Sequence, residues 1–296
     1  MAPSRRQSIA LAVSWLAWPG LFIICLLITG YGFALGRPAL LFNVAYVILA
    51  VCLYALERVT PHERQWNEND GQTFANIAHT LTSKGVIQAL VAVAAVVDLT
   101  TYVAPAQTGF GIWPRDWPMA IQVPLGIVVA EFSLYWAHRI AHEWKPLWRF
   151  HAVHHSVVRL WIINTGRFHF VDSFKSIALG MGTLLAFGAP MEVLTWLGTV
   201  TAFIGMLTHC NVEMHFGPLS WWFNTPELHR WHHSRDLREG NKNYGENVML
   251  WDHVFGTFFN TRLYRPPRNI GIKETMPAGF LQQLAWPFRG ERPETE

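Results

Sequence analysis

Four apolar runs, at residues 9–35, 38–56, 85–103 and 118–137, most limit what this chain can become. Each is close to the roughly 20 residues that a helix needs to cross a bilayer. Backbone polar groups in lipid must be satisfied within the segment, so such runs fold as helices. Arg5 and Arg6 precede the first run as they would in a signal peptide. The run is too long for a signal core and lacks a small-residue cleavage site, so it reads as a retained span. A fifth stretch, residues 177–208, is broken by Gly188-Ala189-Pro190. It is too long for one span and short for two, which predicts two short helices in a re-entrant hairpin.

The charges agree. Only 15% of the 296 residues are charged, against about 25% in a soluble domain. A net charge of +3 gives no reason to invoke nucleic acid. Cys25, Cys52 and Cys210 form neither a disulfide framework nor a CxxC pair. With the N-terminus inside, the outer loops carry only Arg37 and Arg115 of the 23 basic residues. The positive-inside rule therefore puts the N-terminus and everything polar after Arg139 on the cytoplasmic side. The expected fold is an all-α, multi-pass integral membrane protein: about four transmembrane helices, the hairpin, and a cytoplasmic helical cap rich in histidine. Residues 1–117 read as a transmembrane scaffold, 118–260 as a catalytic domain and 261–296 as a cytoplasmic tail.

The histidines fall in a pattern. His138 and His142 are four apart, so they share a helical face. His151, His154 and His155 form H-x-x-H-H, and His229, His232 and His233 repeat it. Chance gives roughly 0.03 copies of that motif in such a chain. His209 stands where the hairpin returns. Nine imidazoles exceed the four ligands of one zinc and the six of most first-row metals, so two metals fit the count. Imidazole alone leaves the metal open among iron, zinc, copper and nickel. The zinc-protease pattern H-E-x-x-H is absent here, because Glu143 follows His142. His62 and His79 stand alone and read as ordinary polar groups, whereas His215 and His253 lack patterned partners.

In this order, H-x-x-x-H at 138–142, H-x-x-H-H at 151–155, "GRFH" at 166–169, "HCN" at 209–211, "NTPELHRWHHS" at 224–234 and "WDHVFGT" at 251–257 resemble one family. It is the membrane fatty acid hydroxylase and sterol desaturase superfamily, nearest in style to the bacterial sterol-desaturase-like and alkylglycerol monooxygenase branch. The resemblance covers about residues 118–260. It implies two irons held by these nine histidines, dioxygen as cosubstrate, and hydroxylation of a fatty acyl, sterol or ether or amino lipid. Desaturation at the same site is the alternative; a membrane zinc hydrolase or a non-catalytic metal-binding protein is the remote one. The chain carries no haem segment, iron–sulfur motif or flavin fingerprint. The electrons are therefore expected from a separate partner, whether a ferredoxin, a cytochrome b5 or a pterin.

Further residues invite roles around the metals. Glu131 lies two helical turns before His138 and inside a span, so it is expected to accept a ligand's free ring N–H. Asn211 is expected to hold a water beside one metal, and Asp252 to orient a histidine. Asn211, His215 and His253 are the candidates for a tenth ligand. Arg149, Arg159, Arg167, Lys175, Arg235, Arg238 and Lys242 flank the clusters. They either dock an acidic carrier or anionic headgroups, or simply follow the positive-inside rule.

Overall fold

The structure is a computed structural model. It describes residues 5–96 and 111–289, apart from 262, 264 and 267, with side chains from residue 11 on and none at 84 or 86–96. Helices α1 (Arg5–Ala34) and α2 (Pro38–Val59) form a hairpin turned at Gly36, whose φ of 66° suits glycine. Pro38 opens α2, where its missing N–H costs nothing. Helix α3 (Thr73–Val96) begins earlier than the third apolar run predicts, because Thr73–Thr82 already coil into it. The rest of that run, beyond residue 96, lies outside the described residues.

Helix α4 (Met119–Glu143) continues as a short helix α5 (Lys145–His155) after a break at Trp144. The broken stretch forms α6 (Phe170–Phe187) and α7 (Met191–His209), 18 and 19 residues long. Both exceed the short helices expected, since α6 begins seven residues before the apolar run and draws Asp172 and Lys175 into its first turns. Gly188, at φ 82°, closes α6 in the left-handed conformation, and its N–H returns to the Leu184 and Leu185 carbonyls. Among the described residues five helices, α1, α2, α4, α6 and α7, are long and apolar enough to cross a membrane. Their outward faces carry bare hydrophobics such as Leu27 and Val51, which suits lipid and not water. This is a multi-pass membrane protein.

Two apolar cores hold the bundle. Trp18, Phe22, Leu49, Leu53, Phe203 and Leu207 knit α1, α2 and α7 together. Ala130, Leu184, Val193 and Leu197 join α4 to the hairpin. Gly126 permits the close crossing there, since a Cβ on it would meet Val193 at 2.5 Å. The last helical turns of α2, α4 and α7 and the first of α6 meet at one end of the bundle, under a cap of short helices: α8 (Leu219–Trp222), α9 (Pro226–His232), α10 (Leu237–Gly240), α11 (Leu250–Val254) and α12 (Phe280–Ala285). Among the described residues the only β-pairing is in isolated bridges, such as Pro61 with Val212.

The scaffold is tied into the cap by Glu57. This fully buried carboxylate near the end of α2 accepts from the amides of Ile162 (2.8 Å) and Asn211 (3.0 Å). Arg159 braces the same region, paired with Asp70 and donating to the carbonyls of Trp66 and Glu68.

Candidate metal centre

The bundle end and the cap bring all nine patterned histidines together. They fall into two sets, His138, His142, His151, His155 and His232 in one and His154, His209, His229 and His233 in the other. Within each set the ligand atoms lie within 4.8 Å of one another. The two H-x-x-H-H elements are split between the sets. On α5, His151 and His155 face one set and His154 the other; on α9, His232 faces one set and His229 and His233 the other. A helix repeating every 3.6 residues turns positions i, i+3 and i+4 only partly onto one line, so neighbouring centres can share one helix. All nine are buried except His142, which is half-buried.

Hydrogen bonds fix most of the rings. Nδ1–H donates to the Tyr244 carbonyl from His138 (2.7 Å), to Gly205 from His209 (2.8 Å), to Lys242 from His232 (2.8 Å) and to Arg167 from His154 (3.2 Å). His142 donates to Asn241 Oδ1 at 3.3 Å, and His151 to Asp172 Oδ2 at 2.7 Å. A neutral ring that donates from Nδ1 carries a lone pair on Nε2. The Nε2 atoms of these six rings and of His155, His229 and His233 converge. His209 Nε2 lies 3.4 Å from His154 Nε2 and 3.0 Å from His229 Nε2, and His229 lies 3.1 Å from His233. In the other set His151 and His155 approach to 3.0 Å, while Nε2 of His138, His142 and His232 is buried with no hydrogen-bond partner.

Lone pairs so close repel unless something positive lies between them. Ligands about 2.1 Å from a first-row metal stand about 3.0 to 3.4 Å apart across octahedral or tetrahedral edges. The donor set therefore fits one metal in each histidine group. Burial, followed by neighbouring imidazoles, holds His151, His154, His155, His229 and His233 well below the usual histidine range. Burial likewise brings His232 down to about 4. At neutral pH these rings are uncharged and ready to ligate.

Three residues expected to act beside the metals have other partners: Glu131, Asp252 and Asn211. Glu131 reaches no histidine. Its buried carboxylate accepts from the backbone amides of Glu246 and Asn247 and from Asn247 Nδ2 (2.8 Å). Asp252 does the same for the amides of Tyr244 (2.8 Å) and Gly245 (2.7 Å). Both orient His138 at one remove, by holding the loop whose Tyr244 carbonyl accepts from it. Asn211 does not face a metal group either: its amide is spent on both backbone groups of Glu63 and on Asn67. Both of its N–H groups are thereby used, and its oxygen already accepts from the Glu63 amide. His215 stacks on Trp15, and His253 on Trp221 and Phe258, both outside the two sets.

Of the flanking cations, Arg159, Arg167 and Lys175 are structural and not a docking surface. Arg167 binds Val153 O, Asn76 and Ser156 while its own carbonyl accepts from His154, and Phe168 stacks on that ring at 4.0 Å. The "GRFH" element thus shapes the site without ligating. Asp172, which the sequence reading missed, is among the described residues the one carboxylate bonded to a histidine of either set, and Lys175 Nζ holds its other oxygen at 2.7 Å. The sequence signal was an Asp and a Lys three apart at the head of an apolar helix, immediately after "GRFHF".

A cavity of about 290 Å³ opens onto one set only, at His142, His155 and His232. The four-histidine set has no part in its lining.

Comparison with known proteins places this geometry in context. Residues 123–257 match the family model described as fatty acid hydroxylase. An ornithine lipid hydroxylase of Rhizobium tropici is 51% identical over 94% of this chain and 84% of its own length. Alkylglycerol monooxygenases are more distant, that of Xenopus tropicalis at 31% and the human one at 29%. They match over 49% and 43% of this chain, and over 31% and 28% of their own length. No solved structure matches the chain.

Proposed function

Because the chain belongs to the fatty acid hydroxylase family, it is a lipid hydroxylase, and we propose that it works with two irons and dioxygen on an amino-acid-containing lipid. The observation that carries the metal reading is the convergence of nine histidine ring nitrogens in two buried sets. The substrate class rests on the ornithine lipid hydroxylase that matches nearly the whole chain. When bound, the irons supply, with dioxygen, two electrons and two protons, the oxidising power to place one oxygen atom into a C–H bond while the other leaves as water.

The protein's own contribution is positioning. Backbone carbonyls, Asp172 and Asn241 set the tautomer of six of the nine rings, so these six present a lone pair without reorganising. Burial keeps bulk water from the histidines. The site's place at the end of a membrane bundle lets a lipid reach it while its tails stay in the bilayer. Lys and Arg distribution supports a cytoplasmic orientation of this end, where a soluble electron donor (a ferredoxin, a cytochrome b5 or a reduced pterin) would have access.

The test is metal analysis of the purified full-length protein together with oxygen uptake on ornithine lipid and reductant. About two irons per chain and a product 16 mass units heavier are expected. Zinc in place of iron would refute the oxygenase reading, and a product two mass units lighter would mark a desaturase.

A further inference from the structure

The open cavity has an unexpected wall. Its inner side is the histidine edge already described, but part of its outer side is Gly271–Glu274, from the segment that the sequence suggests is a tail. These residues lie beyond the family-matched region, which ends at 257. They are fastened in place. Ile270 is fully buried against Trp66, Val157 and Leu160, and it bridges to Ser234. The Gly271 N–H donates to the His233 carbonyl, directly behind a ligand candidate. Gly271 has φ 117°, and a Cβ there would meet the Val157 carbonyl at 3.1 Å, so the strap needs glycine to pass. Trp148 then donates to Glu274 Oε1 at 3.2 Å, closing the strap onto α5.

The charges at this wall are uneven. Glu143 is paired with Arg139 at 2.8 Å, while Glu274 accepts from the neutral Trp148 indole and keeps its charge. Arg235 Nε donates to the Ile270 carbonyl, which aligns the guanidinium along the strap. Among the described residues, neither Arg235 nor Lys273 has a carboxylate within ion-pair distance. Two exposed cations at the mouth of a small cavity are matched by an anionic group on the ligand. A volume of about 290 Å³ is at the small end of ligand pockets. It accommodates a headgroup and leaves no room for an acyl tail as well.

We propose that this cavity is the headgroup site of the lipid, in which Arg235 and Lys273 hold the headgroup carboxylate and the Gly271–Glu274 strap sets substrate choice. The proposal rests on the amino-acid-lipid reading above. The carboxylate is the committed anion, because an amino-acid headgroup offers one and needs no phosphate. The strap makes Lys273 and Glu274 specificity residues, although they stand outside the region that the family shares.

The experiment measures calorimetric binding of short-chain ornithine lipid, its methyl ester and phosphatidylglycerol to the full-length, metal-loaded protein in detergent. Wild type should bind the free acid about 100-fold more tightly than the ester, about tenfold for each of two charge-assisted contacts. Arg235→Gln and Lys273→Gln should each lose about one such tenfold factor for the acid and little for the ester, with metal content kept. In turnover the loss should fall on KM more than on kcat. Arg238→Gln, which removes an exposed cation paired with Asp236, should bind as wild type does. Equal binding of acid and ester by wild type, or unchanged acid binding by both variants, would overturn the site while leaving ornithine lipid oxidation intact. Tighter binding of phosphatidylglycerol would overturn the carboxylate assignment. Failure to bind or oxidise ornithine lipid, with another lipid oxidised, would instead remove the substrate reading and the site with it.

Discussion

Replacing Asp172 by Asn tests whether the two histidine sets are separate centres. Asp172 accepts from His151 Nδ1 at 2.7 Å and from Lys175 Nζ at 2.7 Å, and it is 4% exposed. Asn keeps the shape and one acceptor but removes the charge. Its amide NH2 group is then turned toward either the lysine ammonium or the ring N–H, and both of these are donors. A hydrogen bond to a charged partner contributes about 1.5–3 kcal/mol. At about 1.4 kcal/mol per factor of ten, that is roughly a 10–100-fold loss of metal affinity, in the range found for residues that orient ligands. The loss should be local. His151 belongs to the five-histidine set, and no member of the four-histidine set touches Asp172 by hydrogen bond. Titrating the purified variant with a chelator should therefore release one iron at about 10–100-fold lower chelator than wild type needs, while the second iron leaves as before. Simultaneous release of both irons, or a curve identical to wild type, would refute the idea of two independently held metals with Asp172 serving only one.

His154→Ala and His232→Ala strike different sets, so each should lower iron by about one equivalent and abolish lipid oxidation, whereas His62→Ala should retain both metals; elemental analysis beside turnover decides. For pH, His232 has a folded value near 4, below the ordinary 6.5 of an unfolded chain. Its contribution to stability is complete above pH 6.5 and is lost as pH falls from there toward 4, so thermal unfolding of the detergent-solubilised protein should shift to lower temperature across that window. A midpoint that is flat from pH 7 to pH 4 would contradict this. For topology, a cysteine in place of Arg235 should be shielded from an impermeant thiol reagent added outside intact cells, and labelling there would reverse the orientation drawn from the basic residues.

The helices were legible because lipid imposes a simple rule: an apolar run of sufficient length is a helix. The nine histidines were legible because helical spacing made their common faces visible in one dimension. The division into two sets was not, since it depends on how α5 and α9 cross, and each H-x-x-H-H looks like a single face in sequence. Glu131 was misplaced for a related reason. Spacing put it on the His138 face, but the nearest unsatisfied donors in space were the amides of Glu246 and Asn247, more than a hundred residues away. Asp172 escaped notice because its partner His151 is 21 positions distant and in another helix. The cavity wall escaped because its residues follow the last motif, where the sequence offers no patterned spacing.

Glu57 bears on how such a protein can be taken apart. Its carboxylate sits on a helix that carries no histidine of either set, yet it terminates two amide donors that belong to the histidine-bearing half, one of them two residues beyond His209. Buried donors deprived of an acceptor cost about 1–3 kcal/mol each. The matched region at 123–257 therefore shares buried hydrogen bonds with the helices that precede it. A chimera that grafts this catalytic half onto a foreign pair of leading helices inherits two stranded amides beside its metal centre, unless a carboxylate is grafted at the same depth. The scaffold is interchangeable only in its lipid-facing surface; at its inner end it is part of the enzyme.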